Sequence, residues 1–282
     1  MQGAAPQWFQ DAINSPRQTK NIDVEGARIN YQVWGDKKKP ALLLIHGNNA
    51  HSRWWDFIAP MLTNEYYVIA TDLSGMGDSE ARDAYSYPLY AKELIATLKA
   101  EGFEQATFVG HSFGARMPLV AAKLFPEYVN GIIMVDSGFS GMPPHVKERR
   151  NKRIYATQEE ALSRFRLMPE QSCENQFILD YIAKHSIKQT PEGWTWKFDA
   201  NLMSKLVRDE STYLPVELRC NISLIYGEHS AISSREDFSF EEIFTILNHE
   251  APLVIIPCAA HHIFLDQPIA FVSTLRALLT TL

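Results

Sequence analysis

A serine stands between a short strand and a helix in the segment Gly110-His111-Ser112-Phe113-Gly114. Residues 106–109 are apolar and partly β-branched, as in a buried strand, and residues 113–125 carry apolar side chains at helical spacing. A serine at such a junction lies on a strained turn that exposes its hydroxyl, and glycines on both sides leave room for the neighbouring strand and helix. The pattern predicts that Ser112 acts as a nucleophile.

A serine hydroxyl is a poor nucleophile until a base takes its proton, so Ser112 needs a histidine and an acid that orients this histidine. His261 and His262 follow a short apolar strand at 253–256 and precede the last predicted helix, 268–279. This is the place of the third member in the chain order serine, acid, histidine. The order indicates that one of these two histidines is the base.

The predicted elements form an α/β protein with two parts. From residue 20 to 136, and again from residue 221, short apolar strands alternate with helical stretches, which is typical of a mostly parallel central sheet flanked by helices. Residues between them contain amphipathic stretches and no convincing buried strand. We therefore predict a core of residues 1–137 and 217–282, and a helical cap (lid) of residues 138–216, inserted after the sixth strand and lying over the site.

Composition excludes several other classes of protein. Hydrophobic residues make up 46% of the 282 residues and charged residues 21%, as in globular proteins, and the net charge of −6 argues against a nucleic-acid partner. The three cysteines lack a metal-binding spacing and are predicted to be reduced thiols. Neither a signal peptide nor an apolar run of about 18 residues is visible, which predicts a cytoplasmic protein without a membrane span.

Three further motifs accompany the serine turn. They are His46-Gly47-Asn48-Asn49 after a predicted strand, Asp72-Leu73-Ser74-Gly75-Met76-Gly77-Asp78-Ser79, and His261-His262-Ile263-Phe264-Leu265-Asp266-Gln267-Pro268 near the end. In this order they resemble the HG-x, D-x-x-G-x-G-x-S and H-x-x-F-L-E-Q-P motifs of the α/β-hydrolase fold superfamily. The resemblance covers most of the chain and is to the cap-bearing serine hydrolases, such as esterases and lactonases.

The resemblance assigns roles to the residues that match these motifs. It implies that His261 is the base, and that the backbone N–H groups of Asn48 and Phe113 form the oxyanion hole. His46 and His111 are then histidines that pack the loop and the turn. His262 would be the base only if the register differed by one residue.

The acid departs from the family pattern. Many members carry aspartate three residues after the glycine that corresponds to Gly227, and this chain has Ser230 there. Asp136 ends the strand at 131–135, a position from which members related to haloalkane dehalogenases supply the acid. Glu228 lies near the usual place and is the alternative. An Asx turn would also explain Asp136, and a solvated loop would explain Glu228.

Two groups of residues are candidates for contact with a substrate. Trp54, Trp194 and Trp196 are candidates for lining a pocket, although each would equally serve in local packing. The basic run at 147–153 would steer an anionic substrate, or it would be a solvated helix face.

The resemblance implies a carboxylesterase-like enzyme without metal or cofactor. It would cleave a small or medium carboxylic ester through an acyl-enzyme, with Ser112, His261 and Asp136 as triad. A serine argues against dehalogenase or epoxide hydrolase chemistry, since both use an aspartate nucleophile in this fold. A lactonase or C–C bond hydrolase would use the same triad. A catalytically silent ligand-binding protein is the alternative from another class, and Ser230 in place of aspartate is the observation that favours it.

Overall fold

The computed structural model describes residues 5–138, 151–207, 218–236, 238–247 and 250–282. Its strands are β1 (Gln18–Val24), β2 (Ala27–Trp34), β3 (Ala41–Ile45), β4 (Tyr67–Thr71), β5 (Ala106–His111), β6 (Val129–Val135), β7 (Ile187–Thr190), β8 (Gly193–Trp196), β9 (Asn221–Gly227) and β10 (Leu253–Ile256). Its helices are α1 (Gln7–Ile13), α2 (Tyr87–Ala100), α3 (Arg116–Leu124), α4 (Gln158–Ser163), α5 (Gln176–His185), α6 (Leu202–Lys205), α7 (Phe240–Ile246), α8 (Ile263–Asp266) and α9 (Pro268–Leu279).

Eight strands form one central sheet in the order β1-β2-β4-β3-β5-β6-β9-β10. The first two pairs, β1 with β2 and β2 with β4, are antiparallel, and the other pairs are parallel. The predicted α/β class with a mostly parallel sheet flanked by helices is therefore confirmed. None of the helices in the described ranges is both long and apolar enough to span a lipid bilayer.

The sheet is buried on both faces because helices cover it on both sides. In β3 all five residues are buried, and successive side chains point to opposite faces of a strand. Leu43 and Ile45 belong to one hydrophobic core, with residues of α2 and α3. Leu42 and Leu44 belong to the other core, with residues of α1 and α9. Parallel strands covered in this way read as continuous apolar runs, which is why the sequence revealed them.

The edge strand β1 was not predicted from the sequence. It carries polar residues at most positions, and its burial alternates between exposed and partly buried side chains. Its place in the sheet comes from a regular antiparallel register with β2, from Gln18 opposite Val33 to Val24 opposite Ala27. An edge strand is held by backbone hydrogen bonds to its neighbour, and its side chains are partly exposed. It therefore does not need the continuous apolar run of a central strand.

The segment between β6 and β9 is not entirely helical, so this part of the prediction is wrong. The hairpin of β7 and β8 pairs Ile187 with Trp196 and Gln189 with Trp194. Helix α4 begins only at Gln158, where the Thr157 side chain caps it. The earlier part of the predicted helix at 145–165 lies partly outside the described residues, as do both ends of the predicted cap, 139–150 and 208–216.

Buried polar contacts fasten this segment, called the cap below, to the sheet domain. The Tyr181 hydroxyl donates a hydrogen bond of 2.6 Å to the buried Asp56 carboxylate. Ser186 Oγ lies 2.9 Å from His51 Nε2, and burial lowers the pKa of His51 well below its usual value, so its ring is neutral there. Further contacts join Lys197 to Asp78, Asp199 to Gly75 and Lys205 to Tyr85. These contacts hold the cap over the carboxyl ends of the parallel strands.

Candidate active site

The turn after β5 holds Ser112 in a left-handed backbone conformation, with φ of +53°. A short 3-10 helix from Ser112 to Ala115 then leads into α3. A Cβ at Gly110 would lie 2.5 Å from Ala115 Cα, and one at Gly114 would overlap the His46 carbonyl. Only glycine fits at these two positions, because β5 lies close to the helix that follows the turn, and the turn lies close to the loop after β3. The turn therefore has the strained strand-to-helix geometry that the sequence indicated.

His261 lies between Ser112 and Asp136. Its Nε2 is 2.9 Å from Ser112 Oγ, and its Nδ1 is 2.6 Å from Asp136 Oδ2. A carboxylate only accepts hydrogen bonds, so Nδ1 carries the ring proton and Nε2 is left to accept from the serine hydroxyl. His261 and Asp136 are 2% and 0% exposed, which keeps water from competing for these contacts. The three side chains form an unbroken line of hydrogen bonds.

The Asp136 carboxylate is fixed by two further donors. The backbone N–H of Gly227 lies 3.1 Å from Oδ1, and the Ser230 hydroxyl lies 2.5 Å from Oδ2. The residue itself directly follows β6 and has a φ of +48°. Donors of this kind stabilise a carboxylate that has been removed from water. Ser230, which stands where the family pattern has aspartate, thus donates a hydrogen bond to the acid Asp136.

Glu228, the alternative acid, is not brought near His261. Its side chain is half exposed and lies 3.6 Å from His229. One carboxylate oxygen accepts a hydrogen bond of 2.9 Å from the backbone N–H of Cys258. Between the two candidates of the sequence, the geometry therefore favours Asp136.

The other histidines near Ser112 are each hydrogen-bonded to a group other than its hydroxyl. His46 accepts from the backbone N–H of Leu73 at 3.1 Å, and its Nδ1 donates to the Gly47 carbonyl at 2.7 Å. Burial lowers the pKa of His46 to about 4, so the ring is neutral at pH 7. Its position agrees with the packing role that the resemblance implies.

His111 and His262 flank the ring of His261. His111 Nε2 lies 3.0 Å from the backbone carbonyl of His261, to which it donates. His262 Nδ1 lies 2.8 Å from Gln171 Oε1, and its ring faces Trp54 at a centroid distance of 5.4 Å. Burial lowers the pKa of both rings well below the usual value. The structure thus places His261, and not its neighbour, beside the serine.

The loop after β3 lies against the serine turn. A Cβ at Gly47 would be 3.3 Å from Ser112 Cβ, so the backbone of the next residue, Asn48, lies close to the hydroxyl. Within the described ranges no hydrogen bond occupies the Asn48 N–H. Phe113 lies in the first turn of the 3-10 helix, where an N–H has no partner inside the helix. Both N–H groups are available for an oxygen that develops negative charge.

A cavity of about 960 Å³ separates the cap from this edge of the sheet domain. The sheet domain contributes Asn48, Trp54 and His262, and the cap contributes aromatic side chains that include Trp196 and Phe198. The Trp196 and Phe198 rings stack with an interplanar angle of 10°. Asn48 and His262, the neighbour of His261, form part of its wall, so the cavity lies beside the candidate site.

Trp194 is not among the described residues that line this cavity, which disagrees with its predicted place in a pocket. It lies two residues nearer the hairpin turn than Trp196, about 6.6 Å along β8. Its backbone pairs with Tyr155, and its ring packs against the small core of the cap, Tyr155, Ala161 and Ile187. Trp54 and Trp196 do line the cavity.

Sequence reasoning missed two features of the site. Ser230 was recognised as a departure from the family pattern and not as a partner of Asp136, although its spacing from Gly227 was the available signal. The cavity also receives Arg164 and Arg166 of the cap, which the sequence did not single out. The two arginines flank Phe165 in the sequence, and this arrangement of two cations around an aromatic residue is the signal that could have indicated them.

Comparison with known proteins agrees with this architecture. Residues 40–178 match the protein family described as alpha/beta hydrolase fold. A fluoroacetate dehalogenase of Burkholderia sp is 37% identical over 124 residues, which are 41% of this chain and 39% of that protein. The chain spans between a third and two fifths of the length of the curated relatives it matches.

Two solved structures resemble nearly the whole chain. The thioesterase domain from the curacin biosynthetic pathway has a TM-score of 0.76 and 20% identity, over 92% of this chain and 99% of that chain. The esterase Rv0045c from Mycobacterium tuberculosis has a TM-score of 0.73 and 21% identity, over 96% of this chain and 94% of that chain. They show that the chain has the α/β-hydrolase fold, and residues 40–178 match the family of that description.

Proposed function

We propose that the protein is a serine hydrolase that cleaves a carboxylic ester through an acyl-enzyme intermediate. The observation that carries the proposal is the hydrogen-bonded line from Ser112 Oγ to His261 at 2.9 Å and from His261 to Asp136 at 2.6 Å. The absence of aspartate at position 230 was the observation that favoured a catalytically silent protein. That observation loses its weight, because Asp136, at the end of another strand, supplies a carboxylate to His261.

Each group has a role in this reaction. Ser112 Oγ attacks the ester carbonyl while His261 Nε2 takes its proton, and Asp136 stabilises the imidazolium that forms. The N–H groups of Asn48 and Phe113 receive the oxyanion of the tetrahedral intermediate. His261 then protonates the leaving alcohol, and the acyl group stays on Ser112. A water molecule, deprotonated by His261, attacks this acyl-enzyme, and release of the acid restores the serine.

The nucleophile favours acyl transfer over displacement at saturated carbon. Displacement of a halide by a serine oxygen would leave an ether on Ser112, which water does not hydrolyse under mild conditions. Attack on an ester leaves an acyl group, which an activated water removes. The similarity to a dehalogenase, which covers 41% of this chain, therefore supports the shared fold and not that reaction.

The proposal is tested with a panel of p-nitrophenyl esters of increasing acyl length, together with lactones of similar size. We expect hydrolysis of small and medium esters, with a burst of p-nitrophenol when deacylation is the slower step. Faster turnover of the lactones than of the esters would show that the protein is a lactonase. Failure to hydrolyse any of these compounds, together with no reaction of Ser112 with a fluorophosphonate, would contradict the proposal.

Ser230 provides a prediction about the orientation of the acid. Ser230→Ala removes the hydroxyl that lies 2.5 Å from Asp136 Oδ2, so the carboxylate loses one of the contacts that fix its direction toward His261. We expect kcat to fall by about tenfold, which corresponds to ~1.4 kcal/mol, with little change in KM. Steady-state kinetics measure this effect, and Ser230→Thr, which keeps a hydroxyl, should restore most of the rate.

The matched control is Ser233→Ala, because within the described ranges the Ser233 hydroxyl has only a long contact, of 3.5 Å, to the Ser230 carbonyl. Thermal unfolding of each variant separates loss of orientation from loss of folding. A Ser230→Ala protein that keeps the full kcat would show that the hydroxyl does not position the acid.

A further inference from the structure

Positive charge is concentrated on the cap side of the cavity. Lys152, Arg153, Arg164 and Arg166 all line it, although the protein as a whole has a net charge of −6. Among the described lining residues only Asp199 is acidic. The cap wall therefore carries a local excess of positive charge that the composition of the chain does not explain.

The single acidic residue does not neutralise these cations. Lys205 Nζ lies 2.7 Å from the Asp199 carboxylate, and the Tyr85 hydroxyl donates to it at 2.9 Å. Asp199 is thus already paired with a lysine that is not one of the four. Its negative charge is therefore offset by Lys205.

The four cations are not used in ion pairs within the part of the chain that the structure describes. Arg82, a partly buried cation elsewhere, is paired in this way and lies 3.0 Å from Glu93. Arg166 instead donates from Nη1 to the backbone carbonyls of Ser163 and Phe165. These bonds hold its guanidinium without neutralising it, so the charge stays available to a ligand.

Aromatic side chains stand beside these cations. Phe165 lies between Arg164 and Arg166 in the chain and lines the same cavity, and its ring is 6.3 Å from that of Trp196. A cleft with charges of one sign and apolar walls focuses the field and attracts ligands of the opposite charge. Guanidinium groups also bind carboxylate and phosphate oxygens in pairs of parallel hydrogen bonds.

We infer that the substrate is an anionic ester, with a carboxylate or phosphate group that binds the cap wall around Arg164 and Arg166 while its carbonyl lies at Ser112. The inference rests on the proposed ester hydrolysis and adds the class of substrate. The charged group belongs either to the acyl part or to the leaving group. Both have the same chemistry at the cap wall, and the experiment separates them.

Matched pairs of esters test the inference. For the acyl part, the mono-p-nitrophenyl ester of adipic acid is compared with p-nitrophenyl hexanoate, which has the same number of carbons and no charge. For the leaving group, 4-carboxyphenyl hexanoate is compared with phenyl hexanoate. We expect kcat/KM of the anionic member of one pair, relative to its intrinsic alkaline hydrolysis, to exceed that of the neutral member by about tenfold or more. The pair with this preference shows which part carries the charge.

The double variant Arg164→Gln/Arg166→Gln links the preference to the cap wall. It should lower kcat/KM of the anionic ester by about tenfold more than that of the neutral ester. Arg28→Gln, which removes an exposed cation on β2 that is 3.6 Å from Glu80, is the control and should leave the preference as it is. In 1 M NaCl, where the screening length is about 3 Å, the preference should also decrease.

The outcomes distinguish this inference from the function on which it rests. Hydrolysis of neutral and anionic esters at equal relative rates, or equal losses for both in the arginine variant, would overturn the anionic substrate and leave the esterase proposal standing. No hydrolysis of either ester, with no fluorophosphonate labelling, would overturn the esterase proposal itself.

Discussion

Ser112→Ala is expected to lower kcat for ester hydrolysis by about 10⁵- to 10⁶-fold, the loss found when the nucleophile of a serine triad is removed. The alanine methyl group cannot form the acyl-enzyme, and the remaining N–H groups stabilise only the direct attack of water. Folding should not suffer from the loss of the hydroxyl. The φ of +53° at this position disfavours alanine and serine alike, since both have a Cβ.

Initial rates with a p-nitrophenyl ester measure this loss, and circular dichroism verifies the fold. Ser163→Ala is a suitable control, because Ser163 is exposed at the end of α4 and, among the described residues, its hydroxyl bonds only to the Glu160 carbonyl. A Ser112→Ala protein that retains more than about 1% of kcat would contradict the assignment of the nucleophile.

Asp136→Asn is expected to lower kcat by about 10³-fold or more. The Gly227 N–H donates to Oδ1, whereas the Ser230 hydroxyl and His261 Nδ1 both contact Oδ2. A backbone N–H can only donate and a hydroxyl can also accept, so the amide oxygen of asparagine faces Gly227 and its NH₂ group takes the place of Oδ2, facing His261. Nδ1 must then accept, and the ring proton moves to Nε2, where it blocks removal of the Ser112 proton. We therefore expect kcat to fall because His261 has the wrong tautomer, while the positions of the three side chains stay the same.

Glu228→Gln is the matched control for this prediction. Its side chain is half exposed, and surface substitutions of this kind change energies by about 0.5 kcal/mol or less, so kcat should change by about twofold or less. Steady-state kinetics of both variants decide between the two acids. A larger loss in Glu228→Gln than in Asp136→Asn would transfer the role to Glu228.

A second variant keeps the assignment of the acid testable if Asp136→Asn folds poorly. The Ser230 hydroxyl lies 2.5 Å from the oxygen of Asp136 that contacts His261. An aspartate at position 230 would therefore carry its carboxylate to nearly the same point. We expect Asp136→Asn/Ser230→Asp to recover at least about tenfold in kcat over Asp136→Asn alone. No recovery in a folded double variant would mean that position 230 cannot replace the acid.

The central strands and the serine turn could be predicted because their signals are local. The apolar run of β3 reflects burial on both faces, and the glycines around Ser112 reflect the close approach of strand and helix. The order of the motifs then gave the base and left two acids open. The choice between Asp136 and Glu228 depends on which strand end lies beside His261, and this is a property of the folded sheet.

Other features depend on contacts between distant segments. The polar strand β1 is a strand only through its register with β2. The hairpin of β7 and β8 lies within the segment predicted to be a helical cap, and it is held by its own pairing and by the bridge to Tyr155. Likewise, Arg164 and Arg166 face the cavity only once the cap is docked, so their charge looks like that of any exposed helix end in the sequence.

Covalent labelling with a fluorophosphonate, followed by peptide mass spectrometry, tests the central claim most directly. The claim is that Ser112 is an activated nucleophile in the line that runs through His261 to Asp136. One adduct per chain is predicted, on the peptide that contains Ser112, with no labelling of Ser112→Ala and slow labelling of Asp136→Asn. An adduct on another residue, or labelling that persists in Ser112→Ala, would contradict the claim.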